Sequence, residues 1–337
     1  MSVLSQLIKR ILPEKLVSII RRLTLKLYML HAYYYDLKRY FVYSSSKGFY
    51  SEDQLIGKII LEYHVIEKGL TMPETRLGFG REKILSLCNN CIDFIGKYKN
   101  EDVQLKHAIG VICEYKYYHE KNKFKLDEEI LSGIEMLEKI NGGTILHTDQ
   151  KEINKEMYFS HTYDSFYDFS NSRSSVRNYS SEAISEEKII SAISLVTNTP
   201  SACNRQPWRT YIYTQKDQIN LILEAQGGNR GFGHLTDKLI IITGELGLFG
   251  SLSERNQVFV DGGMYAMNLL YSLHYHQIAA CILNCSHSVE KDMMLRKLCK
   301  IKESEVFIAM ITCGIPPDNF KIAISKRYDV HKTNVIR

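Results

Sequence analysis

Apolar residues recur at helical spacing through the first 140 residues. Leu4, Leu7, Ile8 and Ile11 mark one helix, and Leu16, Ile19, Ile20, Leu23, Leu27 and Leu30 mark a second. Pro13 separates them at a position suited to a first helical turn. Residues 52–68 continue the pattern up to Gly69, which reads as a C-terminal cap. Further stripes run through Ile84, Leu85, Leu87, Cys88, Cys91, Ile92 and Ile95, then through Ala108, Ile109, Ile112 and Cys113. This region is expected to be all-helical. Residues 141–155 open on Asn141-Gly142-Gly143-Thr144 and turn polar, which predicts a linker.

Beyond the linker the period changes. A helix near 156–170 is expected, then one through about Thr197 with Ser185 as N-cap and Glu186 and Glu187 in its first turn. Arg209 to Thr214 reads as a strand, 215–225 as a helix and Leu239 to Thr243 as a buried strand. A long helix over 250–277 follows, whose Gly262-Gly263 pair permits close approach of another backbone. Ala279 to Leu283 and Val306 to Cys313 read as strands around a helix at 288–299, and Pro316-Pro317 ends the last one. Two Gly-Phe-Gly turns, at 78–80 and 231–233, are the only internal repetition. The first is expected to fold over a neighbouring element.

Composition narrows the class. Apolar residues make up 45% and charged residues 24% of 337, as in an ordinary globular chain. The net charge of +5 is uneven: residues 1–45 hold eight basic and two acidic residues, which leaves the remainder near neutral. A diffuse nucleic-acid surface is therefore excluded. The basic arm and its tyrosines (Tyr28, Tyr33, Tyr34, Tyr35, Tyr40) could lie on an anionic membrane surface, or pack on the chain itself or a second subunit. No signal-peptide pattern and no uncharged run of 18 apolar residues is present, so a cytoplasmic protein is expected. The eight cysteines read as buried reduced thiols, with Cys88-Asn89-Asn90-Cys91 a structural helix pair. His64 and Glu67 share a helix face at i, i+3; no third metal ligand is evident, and a structural contact is expected.

Two stretches carry the chemistry. Arg173-Ser174-Ser175-Val176-Arg177 packs two guanidinium groups and two hydroxyls into five residues just ahead of a helix, a donor set that fits phosphate oxygens. Pro200-Ser201-Ala202-Cys203-Asn204-Arg205-Gln206-Pro207-Trp208 is bracketed by prolines, so it is neither ordinary helix nor central strand. Its Ser201, Asn204 and Gln206 offer polar groups to a planar heterocycle, and Trp208 could wall the site. Together the two runs, one helix apart, resemble the nitroreductase family of FMN flavoproteins. There R-x-S-x-R binds the FMN phosphate and ribityl chain, and P-S-x-x-N-x-Q-P-W lies against the ring.

That resemblance covers residues 156–337, and implies an α+β fold with a central mixed sheet flanked by helices. The helical region 1–150 resembles the extension of a bacterial subgroup of such proteins. The resemblance further implies that Asn229 reaches the flavin's pyrimidine edge or ribityl chain, that Ala280 and Cys281 run past the ring, and that Arg327 contacts the phosphate. It implies no catalytic side chain and no metal. It also implies NADH or NADPH as donor in a ping-pong cycle, a small organic acceptor, and a homodimer with the helix of Gly262, Gly263, Ala266 and Asn268 at the contact. After Arg327 the chain departs from the family, with Tyr328-Asp329-Val330 in place of proline and an apolar residue. Little room is left before the long helix for the lid of larger members. Two alternatives stand beside this reading: a pathway-specific flavin dehydrogenase or dehalogenase, and an interaction module, with or without flavin, tethered by the basic arm.

Overall fold

A computed structural model describes residues 13–48, 51–98, 102–140 and 150–337. The helix expected from Leu4 to Ile11 and most of the expected linker lie outside the described residues. Helices α1 (Glu14–Tyr43), α2 (Glu52–Leu70), α3 (Arg81–Lys97), α4 (Val103–Lys121) and α5 (Glu128–Ile140) make up the first part. Pro13 is the N-cap of α1, one residue earlier than a first-turn position. A capping box formed by Ser51 and Gln54 starts α2. Helices α2 to α5 close on a core of their own, in which Ile59, Ile66, Leu87, Cys91, Phe94, Ile112 and Ile134 are fully buried. None of the residues of α1 is buried. Its Asp36 accepts two hydrogen bonds from Arg255, at 2.7 and 2.8 Å.

The helical part corrects one expectation. Gly69 does not cap α2, which runs on to Leu70. A Cβ at Gly69 would sit 2.0 Å from the Phe79 ring. The glycine is the floor on which the turn at 78–80 folds back, and His119 Nε2 accepts from Gly78 N–H at 2.9 Å to hold that turn.

The second part is an α+β sandwich. Its elements are β1 (Lys151–Asn154), α6 (Lys155–Phe159), α7 (Phe166–Ser172), α8 (Glu186–Leu195), β2 (Trp208–Tyr213), α9 (Lys216–Gln226), β3 (Lys238–Glu245), α10 (Gln257–Tyr275), β4 (Ala279–Asn284), α11 (Val289–Cys299), β5 (Glu305–Gly314), β6 (Asn319–Ile322) and α12 (Val330–Thr333). The main sheet has the order β2-β3-β5-β4. Among the described residues every pairing in it is antiparallel, where the resemblance implies a mixed sheet. The near-continuous apolar run of β3 fits its central place, covered on both faces. Leu239 and Ile241 face α9 and α11, while Ile240 and Ile242 face α8 and α10.

Three further differences have physical causes. The expected linker ends in a strand, because Lys151–Asn154 pairs antiparallel with β6. One helix near 156–170 is in fact two short ones, each with its own cap, Asn154 for α6 and Ser165 for α7. The register of β3 on β5 slips between Ile242 and Thr243. Ile308, skipped by that bulge, fills the space a side chain at Gly262 would take, with its Cγ1 2.7 Å from an added Cβ. Gly263 meets nothing within 4 Å, so only one glycine of the pair serves close packing.

Candidate functional site

The arginine run is an extended segment laid along the outer edge of the sheet. β4 is an edge strand, and its Ala280 carbonyl accepts from Val176 N–H at 3.1 Å. A few residues on, Ser180 N–H reaches Ile315 O at 2.8 Å. Tyr179, 3% exposed, pins the segment from below: its hydroxyl bonds Val176 O at 2.9 Å and the Thr312 hydroxyl at 2.9 Å. Tyr158 does the same from the side, donating to Ser174 O at 2.7 Å.

This anchoring brings Arg173, Ser174, Ser175 and Arg177 to one cavity of ≈ 540 Å³, together with Ile282 and residues 323–328, including Arg327. Its remaining wall comes from the helical part: Ile60, Tyr63, His64 and Gln104. The cavity is electropositive and short of counter-charge. Arg177 is 8% exposed, Arg173 Nε is buried without a hydrogen-bond partner, and neither arginine forms an ion pair among the described residues. Lys68, one turn beyond His64 on α2, has its pKa lowered by burial and then by the charge of Arg177. Guanidinium groups withdrawn from water without a partner carry an unrecovered desolvation cost. An anion in the cavity removes that cost, and the two hydroxyls can complete its hydrogen bonds.

The proline-bracketed strip is elsewhere. Ala202 N–H donates to Asp261 on α10, at 3.3 and 3.2 Å to its two oxygens, and Thr199 Oγ1 accepts from Asn268 at 2.7 Å. The arginine run meets the other end of that helix, where Ser172 bonds His274 Nε2 at 2.8 Å. Asp261 and His274 are thirteen residues apart, so the two ends are separated by about 20 Å along the axis. Pro200, Asn204 and Gln206 are exposed and Ser201 is half-buried. Cys203, Asn204 and Gln206 adopt positive φ values of 54°, 55° and 47°. Such a run of left-handed residues is costly and marks a segment whose shape is imposed by its surroundings. Ser201 Oγ accepts from Gln206 N–H at 2.9 Å, closing the bend.

Other expected positions are placed as follows. Trp208 stacks on Tyr265 at 4.7 Å between ring centres, so it packs on α10 instead of walling the cavity. Asn229 bonds Leu223 O and Gln226, closing the end of α9, and is not among the cavity's lining residues. Ala280 and Cys281 are buried on β4 beside the arginine run and are not among the cavity's lining residues. Ala266 faces the chain's own core, and Asn268 bonds Thr199. The exposed apolar residues of α10 are Phe259, Val260, Met264, Met267 and, at its C-terminal end, Tyr275. Cys203 is exposed and Cys285 half-buried, against the expectation that all eight thiols are interior. Cys88 and Cys91 lie in the core of the helical part. Among the described residues no group of three or more His, Cys, Asp and Glu is placed to hold a metal ion. Likewise, no described helix is long and apolar enough to cross a membrane.

Three histidines outside the cavity, His161, His274 and His276, have partners within the chain. His161 bonds Asp164 at 2.8 Å, and His276 Nδ1 bonds Ser272 O at 2.8 Å. His274 has its pKa lowered to about 4, by burial and by the charge of Arg173. Sequence reasoning missed Tyr63, Gln104, Ser325, Lys326 and Tyr328 as cavity residues. The i, i+3 pair His64 and Glu67 was the available signal.

Comparison with known proteins adds the following. Residues 171–230 match the model of the nitroreductase family, and these residues include both runs from which the resemblance was read. No curated protein sequence matches the chain. Among solved structures, the nitroreductase family protein from Streptococcus pneumoniae TIGR4 is 17% identical, with a TM-score of 0.46 over 51% of this chain and 100% of that one. The FMN-dependent nitroreductase from Clostridium difficile R20291 is 15% identical, with a TM-score of 0.41 over 49% and 92%. The nitroreductase family protein from Clostridium novyi NT is 16% identical, with a TM-score of 0.41 over 46% and 86%.

Proposed function

We propose, from a chain whose residues 171–230 match the nitroreductase family, that this protein is an FMN-dependent oxidoreductase drawing on NADH or NADPH. The observation that carries the reading is the cavity at Arg173, Ser174, Ser175, Arg177 and Arg327, where Arg177 is buried, Arg173 Nε is buried without a hydrogen-bond partner, and neither has an anionic partner among the described residues. A phosphate monoester is the anion that this donor set fits. Bound FMN would supply the redox chemistry, taking a hydride from the nicotinamide and passing it to a small organic acceptor in a ping-pong cycle. The chain's own part is to bind and to orient. Arg173, Arg177 and Arg327 neutralise the phosphate, and the Ser174 and Ser175 hydroxyls donate to its oxygens. Ala280, on the edge strand β4, holds the arginine run in place through its carbonyl, which accepts from Val176 N–H.

Ser201, Asn204 and Gln206, which are able to donate to and accept from a heterocycle's carbonyl and imide edge, lie at the far end of α10 from the phosphate cavity. We take the active form to be a homodimer in which the strip of one chain completes the site of the other. The separation along α10 supports this, and so do the exposed Phe259, Val260, Met264 and Met267 on the same helix. We further assign residues 1–150 to a helical extension and 156–337 to the flavin unit, a division supported by their separate cores.

The test is spectroscopic. Protein loaded with FMN and mixed anaerobically with NADH or NADPH is expected to lose its visible flavin band within seconds to minutes, and to recover it when air is admitted. A flavin band that both nicotinamides leave unchanged would reject the oxidoreductase assignment.

A further inference from the structure

The helical extension reaches the cavity through a set of contacts whose common target is the C-terminal tail. Three consecutive tail residues are held by three polar side chains from the first 150 residues. Ile324 N–H donates to Gln150 Oε1 at 3.1 Å, and Ser325 N–H donates to Glu67 Oε1 at 3.2 Å. Gln104 Nε2 donates to Lys326 O at 3.0 Å, with its own Oε1 fixed by the Tyr63 hydroxyl at 2.5 Å. Between these clasps Ser325 has φ of +48°, a conformation that a serine keeps only when its surroundings impose it. The next residues, Lys326 and Arg327, line the cavity.

Glu67 is the centre of the arrangement. It is fully buried, and besides Ser325 it meets His107 Nε2 at 2.6 Å and His64 Nδ1 at 3.2 Å. Burial alone would raise its pKa, but the hydrogen bonds from His107 and then His64 outweigh it and hold the carboxyl down at about 2. Glu67 is therefore a carboxylate acceptor, and His64 meets it with its Nδ1–H as the donor. That leaves Nε2 as the ring's other polar atom, on a half-exposed side chain that lines the cavity beside Arg173 and Arg177. An ion pair serving only the helical core would need only His107. The reach to Ser325 and to a cavity-lining histidine has no such explanation.

We propose that α2 is the third wall of the anion site, with His64 a direct ligand as the imidazolium, donating Nε2–H to the anion and Nδ1–H to Glu67, and Glu67 a positioning residue that orients both the His64 ring and the tail bearing Arg327. The helical extension thereby acts as the jig on which the phosphate-binding tail is set. The proposal rests on the FMN reading for the identity of the anion, but its geometry applies to any phosphate group.

The full-length protein and its His64→Ala and Glu67→Gln variants would be titrated with FMN and with riboflavin. In parallel, the shift of their melting temperatures by inorganic phosphate would be recorded. The parent is expected to prefer FMN and to be stabilised by phosphate. Each variant should lose about tenfold in FMN affinity with the riboflavin affinity unchanged, and show a smaller phosphate shift. Should Glu67→Gln fail to fold, His64→Ala decides alone, because that half-exposed side chain is not part of the core. Variants that keep the parent's FMN-to-riboflavin ratio and phosphate shift overturn the proposal, as does a parent that phosphate leaves unshifted. A parent that binds phosphate but neither flavin defeats the FMN reading, while its variants' phosphate shifts still decide the role of α2.

Discussion

Arg173→Glu is expected to weaken FMN binding by roughly 100-fold or more, with a melting temperature close to the parent's. A charge-assisted hydrogen bond to phosphate contributes about 1.5–3 kcal/mol, and a carboxylate at the same place adds repulsion on top of its loss. Folding should not suffer, because Arg173 gives up no ion pair and its Nε has no partner to leave behind. The new carboxylate would instead lie in the field of Arg177 and of Lys68, whose charge burial and the nearby Arg177 now penalise. Fluorescence titration with FMN checks the affinity, and thermal unfolding checks the fold. Equal affinity in variant and parent would remove the arginine from the phosphate site.

Gly314→Ala is expected to destabilise the protein by about 3 kcal/mol, near the upper end of what overpacking a core costs. An added Cβ would sit 2.4 Å from Cγ of Tyr179 and 2.6 Å from its Cβ. The ring cannot swing aside cheaply. Its hydroxyl is bonded to Val176 O, Thr312 O and the Thr312 hydroxyl, all in the interior, and any shift leaves those groups without partners. Since Tyr179 also pins the arginine run, the variant should lose FMN affinity along with stability. Denaturant unfolding measures the first effect. A midpoint unchanged from the parent's would show that the segment 173–180 can move freely, contrary to the packing described.

The parts of the fold legible in the sequence are those whose signal is local. Ser185 accepts from Lys188 N–H and starts α8 as its type and place predict. The apolar run at 239–243 gives β3 because a strand covered on both faces needs no alternation. What could not be read depends on distant partners. Strands β1 and β6 have four residues each, and neither exists without the other across some 170 positions. Trp208 reads as a site wall from its place in the strip, and only the position of Tyr265 on α10 shows that it packs there instead.

The candidate site divides in the same way. Arg173 to Arg177 and Arg327 announce themselves by charge density, and the structure brings them to one cavity. The strip at 200–208 carries a recognisable pattern, yet within one chain α10 holds it away from that cavity. The role of the helical extension was illegible because its decisive contacts, Glu67 to Ser325 and Gln104 to Lys326, join residues more than 200 positions apart. The pair His64 and Glu67 showed only its local half.

The most direct test of the central claim is the visible spectrum of the purified full-length protein after mixing with excess FMN and removal of unbound ligand by gel filtration. The arginine-lined cavity predicts a retained yellow band corresponding to one flavin per chain, lost in Arg173→Glu. A colourless protein, or equal retention by parent and variant, would contradict it.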